Sequence, residues 1–217
     1  MIPAIEALQR LREGNKRFAS DSRDRDAAVT QSMRRLELTE GQEPFAIILG
    51  CSDSRVPAEI VFDQGLGDLF VIRVAGNIVA PSQIGSVEFA ADRFGTRLVV
   101  VLGHSSCGAI LATLEELRRP TKDQSRNLHS IVDRVRPSVE TVLNDRRDAD
   151  PDALIREAVR ANVRASVNHL RRGSELLERL IPENGLLVVG AEYSLETGVV
   201  DFFENVPATA QYSVFSR

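Results

Sequence analysis

Residues 45–57 read FAIILGCSDSRVP. The first part is an unbroken apolar run ending in glycine, the pattern of a strand buried on both faces of a parallel sheet. The second part places Cys51, Asp53 and Arg55 at alternate positions directly after that strand. A thiol, a carboxylate and a guanidinium therefore gather where the chain leaves the core.

Three further runs share the texture of the first: DLFVIRV (68–74), RLVVVLG (97–103) and LLVVGAEY (186–193). Helical patterns lie between them. SQIGSVEFAADRFG (82–95) has Ser82 as its expected N-cap, CGAILATLEELRR (107–119) follows the third strand, and Pro137, Pro151 and Gly173 divide residues 127–181 into three expected helices. Ahead of the first strand, Ile5, Leu8, Leu11 and Phe18 recur at helical spacing, which predicts an amphipathic helix over 3–19, with Gly14 and Asn15 weakening its end. SMRRLEL (32–38) reads as a short helix, and TGVVDFF (197–203) as an edge strand that closes the sheet. The alternation predicts an α/β fold with a mostly parallel central sheet flanked by helices. One domain over 1–217 is expected, with a helical arm over about 1–40.

Lys and Arg total 27 against 31 Asp and Glu, a net charge of −4, so the basic excess that binding to nucleic-acid phosphates requires is missing. The pairs Arg118-Arg119, Arg146-Arg147 and Arg171-Arg172 are interleaved with acids and read as solvated helix faces. No window has the apolar length of a membrane span, and the first residues lack a signal-peptide core, so a cytoplasmic protein with no membrane partner is expected.

The second cysteine stands in GHSSCGA (103–109), again at the end of an expected strand. Open parallel sheets place ligands at such ends. His104 and Cys107, with Cys51 from the other strand, make a Cys₂His set, the donor chemistry of zinc with one coordination position to spare. Other readings compete. A serine nucleophile elbow needs glycine where Cys107 stands. A Cys107–His104 thiol nucleophile leaves Cys51, Asp53 and Arg55 without a role. Inert buried cysteines are the plainest alternative.

CSDSRV (51–56) and GHSSCG (103–108), with RVAGN (73–77) and SVEFA (86–90) between them, resemble the β-class carbonic anhydrases. The likeness is close over about 42–108 and looser through the first helix and ANVRASVNHL (161–170). It implies one Zn²⁺ per chain on Cys51, His104 and Cys107, and a catalytic dyad of Asp53 and Arg55. The dyad would orient a zinc-bound hydroxide for attack on CO₂, giving bicarbonate and a proton. If Arg55 releases it, Asp53 can become a fourth metal ligand and close the site. Gln42, Phe70, Phe89 and the backbone of Gly108 fall on substrate-pocket positions; many relatives have tyrosine where Phe89 stands. The family builds this pocket across subunits, which implies a homodimer or homotetramer. Ile48 occupies the position of a tryptophan that marks an inhibitory bicarbonate site in some members, so that site is expected to be missing. His129 and His169 read as surface residues. The same donors occur in relatives that hydrolyse carbonyl sulfide or carbon disulfide, and a closed, non-catalytic Cys₂HisAsp zinc site is the alternative of another class.

Overall fold

The computed structural model describes residues 2–22, 34–119, 125–146 and 150–208. Five strands, β1 Ala46–Gly50, β2 Leu69–Arg73, β3 Leu98–His104, β4 Leu187–Tyr193 and β5 Val200–Glu204, form one sheet in the order β2-β1-β3-β4-β5. β1 pairs in parallel with β2 and with β3, and β3 in parallel with β4. β5 is antiparallel to β4, with an irregularity at Gly190/Ala191. The expected α/β fold and edge strand are both present. The edge strand starts at Val200 rather than Thr197 because a tight turn, with Gly198 at φ +75° and its N–H donating to Ser194 O, occupies the preceding residues.

Side chains alternate across the sheet as a two-residue period requires. Ile48, Val100, Leu102 and Val189 face the helices α1 Ala4–Ala19 and α2 Ala58–Val61. Ile47, Leu49, Val99 and Val101 face α3 Pro81–Arg93, α6 Pro151–Arg172 and α7 Glu175–Asn184. A third cluster joins α4 Gly108–Arg118 and α5 Arg126–Asp145 to α6 at the carboxyl end of the sheet, and contains both cysteines. Among the described residues no helix is long and apolar enough to cross a membrane.

Three local expectations are corrected. Ser82 is not the N-cap of α3: Ala80 is, and Pro81 takes the first helical position, where its missing N–H costs no bond. Pro137 does not divide a helix but lies inside α5, because Val132, Val135, Val139 and Val142 form one buried stripe that holds both halves against their neighbours. In α1, Ile5 is exposed, and the buried stripe runs through Ala7, Leu8, Leu11, Gly14 and Asn15. Gly14 and Asn15 fasten the helix rather than weaken it. A Cβ on Gly14 would collide with the backbone oxygen of Phe62. Asn15 Nδ2 donates to Val61 O (3.1 Å) and Gly198 O (2.8 Å), while its Oδ1 accepts from Val200 N–H (2.8 Å). Of the short helix read over 32–38, residues 34–37 are helical and lead into a 3₁₀ turn over Leu38–Glu40; Ser32 and Met33 lie outside the described residues.

Two glycines set the distance between sheet and helix. A Cβ at Gly103 in β3 would stand 2.6 Å from Val163 Cγ2, and one at Gly190 in β4 would stand 2.7 Å from Val163 Cγ1. Their bareness lets α6 lie close against β3 and β4, which brings its polar residues within reach of the turn over Ala75–Asn77.

Candidate metal centre

The strand order reverses direction between β1 and β3, and open α/β sheets form their ligand crevice at such a switch, beyond the carboxyl ends of the strands. Gly50 pairs with Leu102 in register, so Cys51, one residue on, emerges beside the end of β3, where His104 is the last residue. Ser106 turns the chain in the left-handed region (φ +55°), and Cys107 then serves as N-cap of α4.

The structure brings Cys51, His104 and Cys107 together: their donor atoms all lie within 4.8 Å of one another, and all three residues are buried. The two sulfurs are 4.0 Å apart, far beyond a disulfide bond, and both thiols are free. His104 Nδ1 lies 2.9 Å from Ser105 O, and because a carbonyl only accepts, Nδ1 carries the proton. Nε2 is left with its lone pair directed into the cluster, buried and without a hydrogen-bond partner. A buried nitrogen in that state costs free energy unless something binds it.

The thiols carry the same message. The hydrogen bond from Cys107, with help from the N–H of Gly76, brings the Cys51 thiol well below its ordinary range, against the opposing effect of burial. The same bond, burial and the neighbouring thiolate push Cys107 up. One proton leaves the pair readily and the second is held by the hydrogen bond between the sulfurs, by burial and by like-charge repulsion, all of which a divalent cation in its place would relieve. Soft thiolates and a neutral imidazole fit zinc.

Asp53 stands beside this cluster and is held by Arg55. Nε of Arg55 donates to Oδ1 (2.9 Å) and Nη2 to Oδ2 (2.7 Å), while the backbone N–H of Arg55 also donates to Oδ1 (3.0 Å). These bonds keep the Asp53 carboxyl well below the usual carboxylate range. Its Oδ2 lies 3.9 Å from His104 Nε2, and Asp53 is not among the mutually close donors.

The sequence model of the carbonic anhydrase family matches residues 46–200. The chain belongs to the β-carbonic anhydrase family. It is 40% identical over 195 residues to carbonic anhydrase 2 of Mycobacterium tuberculosis, an alignment covering 89% of this chain and 90% of that protein. It is 36% identical over 197 residues to a carbonic anhydrase of Mycolicibacterium smegmatis, covering 91% and 92%. A β-carbonic anhydrase of Aspergillus fumigatus superposes with a TM-score of 0.73 at 25% identity, covering 85% of this chain and 89% of that one.

Within this carbonic anhydrase fold, the pocket positions carried over from the family divide into two groups. Gly108 opens α4 next to Cys107, and a Cβ there would meet nothing within 4 Å, so the helix start borders open space at the cluster. Gln42, Phe70 and Phe89 lie elsewhere. Phe70 pairs with Ile47, three residues below the tip of β2, or about 10 Å at the rise of a strand. Its ring meets Phe89 and Phe94, with centroids 6.2 and 6.0 Å away, along the edge strand of the sheet. Gln42 is exposed and lines a cleft with Leu38, Gly67 and Phe94. His129 and His169 lie on α5 and α6 outside the donor cluster.

Two contacts at the cluster had no counterpart in the sequence reading. Arg73, at the end of β2, donates from Nε to Cys51 O (3.0 Å) and from Nη2 to Asp53 O (2.6 Å). Gly76 donates its N–H to Cys51 Sγ (3.4 Å). Both belong to RVAGN, whose presence was legible but whose partners are set by the pairing of β2 with β1.

Proposed function

We propose that this protein is a zinc-dependent carbonic anhydrase that interconverts CO₂ and water with bicarbonate and a proton. The observation that carries the reading is a buried Cys–His–Cys cluster with a carboxylate tethered next to it by an arginine. Zinc held by Cys51, His104 and Cys107 would supply Lewis-acid activation of a water molecule.

The chain's own residues supply orientation. Asp53, ionised and fixed by Arg55, accepts a hydrogen bond from the attacking water and aims its oxygen lone pair at the carbon of CO₂. As the new C–O bond forms, the displaced proton leaves for solvent. The Gly108 N–H, at a helix start, is placed to donate to a substrate oxygen as charge develops there. Arg55 also keeps Asp53 from becoming a fourth ligand, which favours an open site over the closed, non-catalytic alternative.

Phe70, Phe89 and Gln42 belong to the same proposal as pocket residues that a second copy of the chain supplies. Their separation from this chain's own cluster and the exposure of Phe89 (54%) support a dimer or a multiple of dimers. A cytoplasmic setting completes the reading, since both thiols must stay reduced to bind metal.

The test is metal content together with ¹⁸O exchange between CO₂ and water for the parent and for Asp53→Asn. The expected result is one zinc per chain in both, with exchange lost in the variant. Parent-like exchange in Asp53→Asn would remove the dyad from the mechanism. Turnover of carbonyl sulfide or carbon disulfide in preference to CO₂ would overturn the substrate assignment.

A further inference from the structure

The polar residues that α6 buries have no part in the chemistry above. Asn162 and Ser166 are 2% and 5% exposed, and at a spacing of four they share one face of the helix. Asn162 Nδ2 donates to Gly76 O (2.8 Å), and Ser166 Oγ donates to Asn77 O (3.0 Å). Both acceptors lie in the turn over Ala75–Asn77, whose Gly76 N–H donates to Cys51 Sγ.

Within the turn one backbone bond closes the loop, Asn77 N–H to Val74 O (3.0 Å), and the bonds from α6 add to it. Gly76 and Asn77 both take positive φ, +69° and +42°, a conformation open to these two residue types but not fixed by them, so contacts from outside the turn select it. The space is confined as well: a Cβ on Gly76 would stand 3.1 Å from Ala109 Cβ and 3.4 Å from Val135 Cγ2. Two side-chain bonds from α6 thus fix the successive carbonyls of Gly76 and Asn77, and the Gly76 N–H, one peptide before them, is aimed at a sulfur of the donor cluster. An N–H donated to a thiolate withdraws charge from it and fixes the direction of its lone pairs, as hydrogen bonds around metal ligands generally do.

We propose that Asn162 and Ser166 are positioning residues for the metal centre, acting through the Ala75–Asn77 turn to hold the Gly76 N–H on the Cys51 sulfur. The proposal rests on the reading of Cys51, His104 and Cys107 as the metal site. It gives ANVRASVNHL a physical role: Asn162 and Ser166 face the turn, while Val163 and Val167 face the sheet.

The test uses the zinc-loaded and cobalt(II)-loaded full chain with Asn162→Leu, which keeps the bulk and removes the donor, and Ser166→Ala. Transfer of zinc to a chelator is expected to be about tenfold faster or more in Asn162→Leu. In the cobalt protein the thiolate-to-metal charge-transfer band is expected to move to longer wavelength, as a sulfur relieved of its N–H becomes more electron-rich. Ser166→Ala is expected to move both quantities in the same direction by a smaller factor. Val167→Ala, which trims the apolar face of the same helix, is expected to lower the melting temperature and leave the band in place. Parent-like zinc release and an unmoved band in both polar variants would overturn the relay alone. If Asn162→Leu does not fold, the same two readings on Ser166→Ala decide. A parent that takes up neither zinc nor cobalt would overturn the metal site itself, and the relay with it.

Discussion

Arg55 grips both carboxylate oxygens of Asp53, at 2.9 and 2.7 Å, so that the acid next to the metal donors is already committed to a cation. Planarity matters here as much as charge. A guanidinium presents two parallel N–H bonds that match a carboxylate, whereas an ammonium offers one point of attachment and leaves the carboxylate free to rotate. Arg55→Ala is therefore expected to lower ¹⁸O exchange by about a hundredfold, the order of loss when a reacting group is mispositioned. Arg55→Lys is expected to recover only a small part. Zinc content should remain at one per chain in both. Full recovery by lysine would mean that charge alone suffices.

Arg73 acts one layer further out. Its two bonds to the carbonyls of Cys51 and Asp53 tie a metal-donor residue and the tethered acid to the end of β2. Removing it leaves the residues in the sequence but loosens the loop that spaces them. Arg73→Ala is expected to cost roughly tenfold in exchange, the lower range for residues that support metal ligands, with little change in the melting temperature. An unchanged rate in a protein of unchanged stability would show that the 51–55 loop holds itself.

The candidate metal site was legible because its chemistry lies in residue type: two cysteines and a histidine, each following an apolar run, are the donor set of a metal centre. The strands were legible because their runs are apolar on both faces. What stayed hidden depends on distances the sequence does not encode. Asn15 looked like a weak helix end, yet it ties α1 to Gly198 and Val200 near β5 by two hydrogen bonds and to Val61 of α2 by a third. Pro137 looked like a breaker, but the buried valine stripe of α5 outweighs its local cost. Gln42 and Phe70 could be placed on family positions, but only the register of β2 for Phe70, and the cleft that Gln42 shares with Phe94, show that they stand away from their own chain's cluster.

Metal removal should expose the thiols as a pair. Cys51 and Cys107 are buried at 4.0 Å from each other, and zinc would bind both as thiolates. In the zinc-loaded protein both are expected to resist alkylation. After chelation Cys51, the more exposed of the two and the one whose sulfur accepts an N–H from Gly76, should react first and Cys107 later. Cys107→Ser is expected to weaken zinc binding by roughly a hundredfold or more, beyond the loss seen for supporting residues alone. Equal alkylation with and without zinc, followed by mass spectrometry, would count against metal binding at these sulfurs.

The close approach of α6 to the sheet makes a prediction about stability that leaves the metal donors untouched. Gly190 faces Val163, and an added Cβ would stand 2.7 Å from its Cγ1 and 2.9 Å from the Cβ of Glu204. Neither neighbour has a simple retreat, since Val163 is buried against both β3 and β4 and Glu204 belongs to the paired strand β5. Overpacking of this kind costs about 1–3 kcal/mol. For a chain of this length that corresponds to a fall of roughly 2–12 °C in melting temperature. Gly190→Ala is therefore expected to melt earlier by that amount while binding zinc at the parent stoichiometry. Pairing it with Val163→Ala, which opens the space the new methyl needs, should recover part of the loss. A double variant no more stable than the sum of its single changes would show that α6 is not held at its distance by this contact.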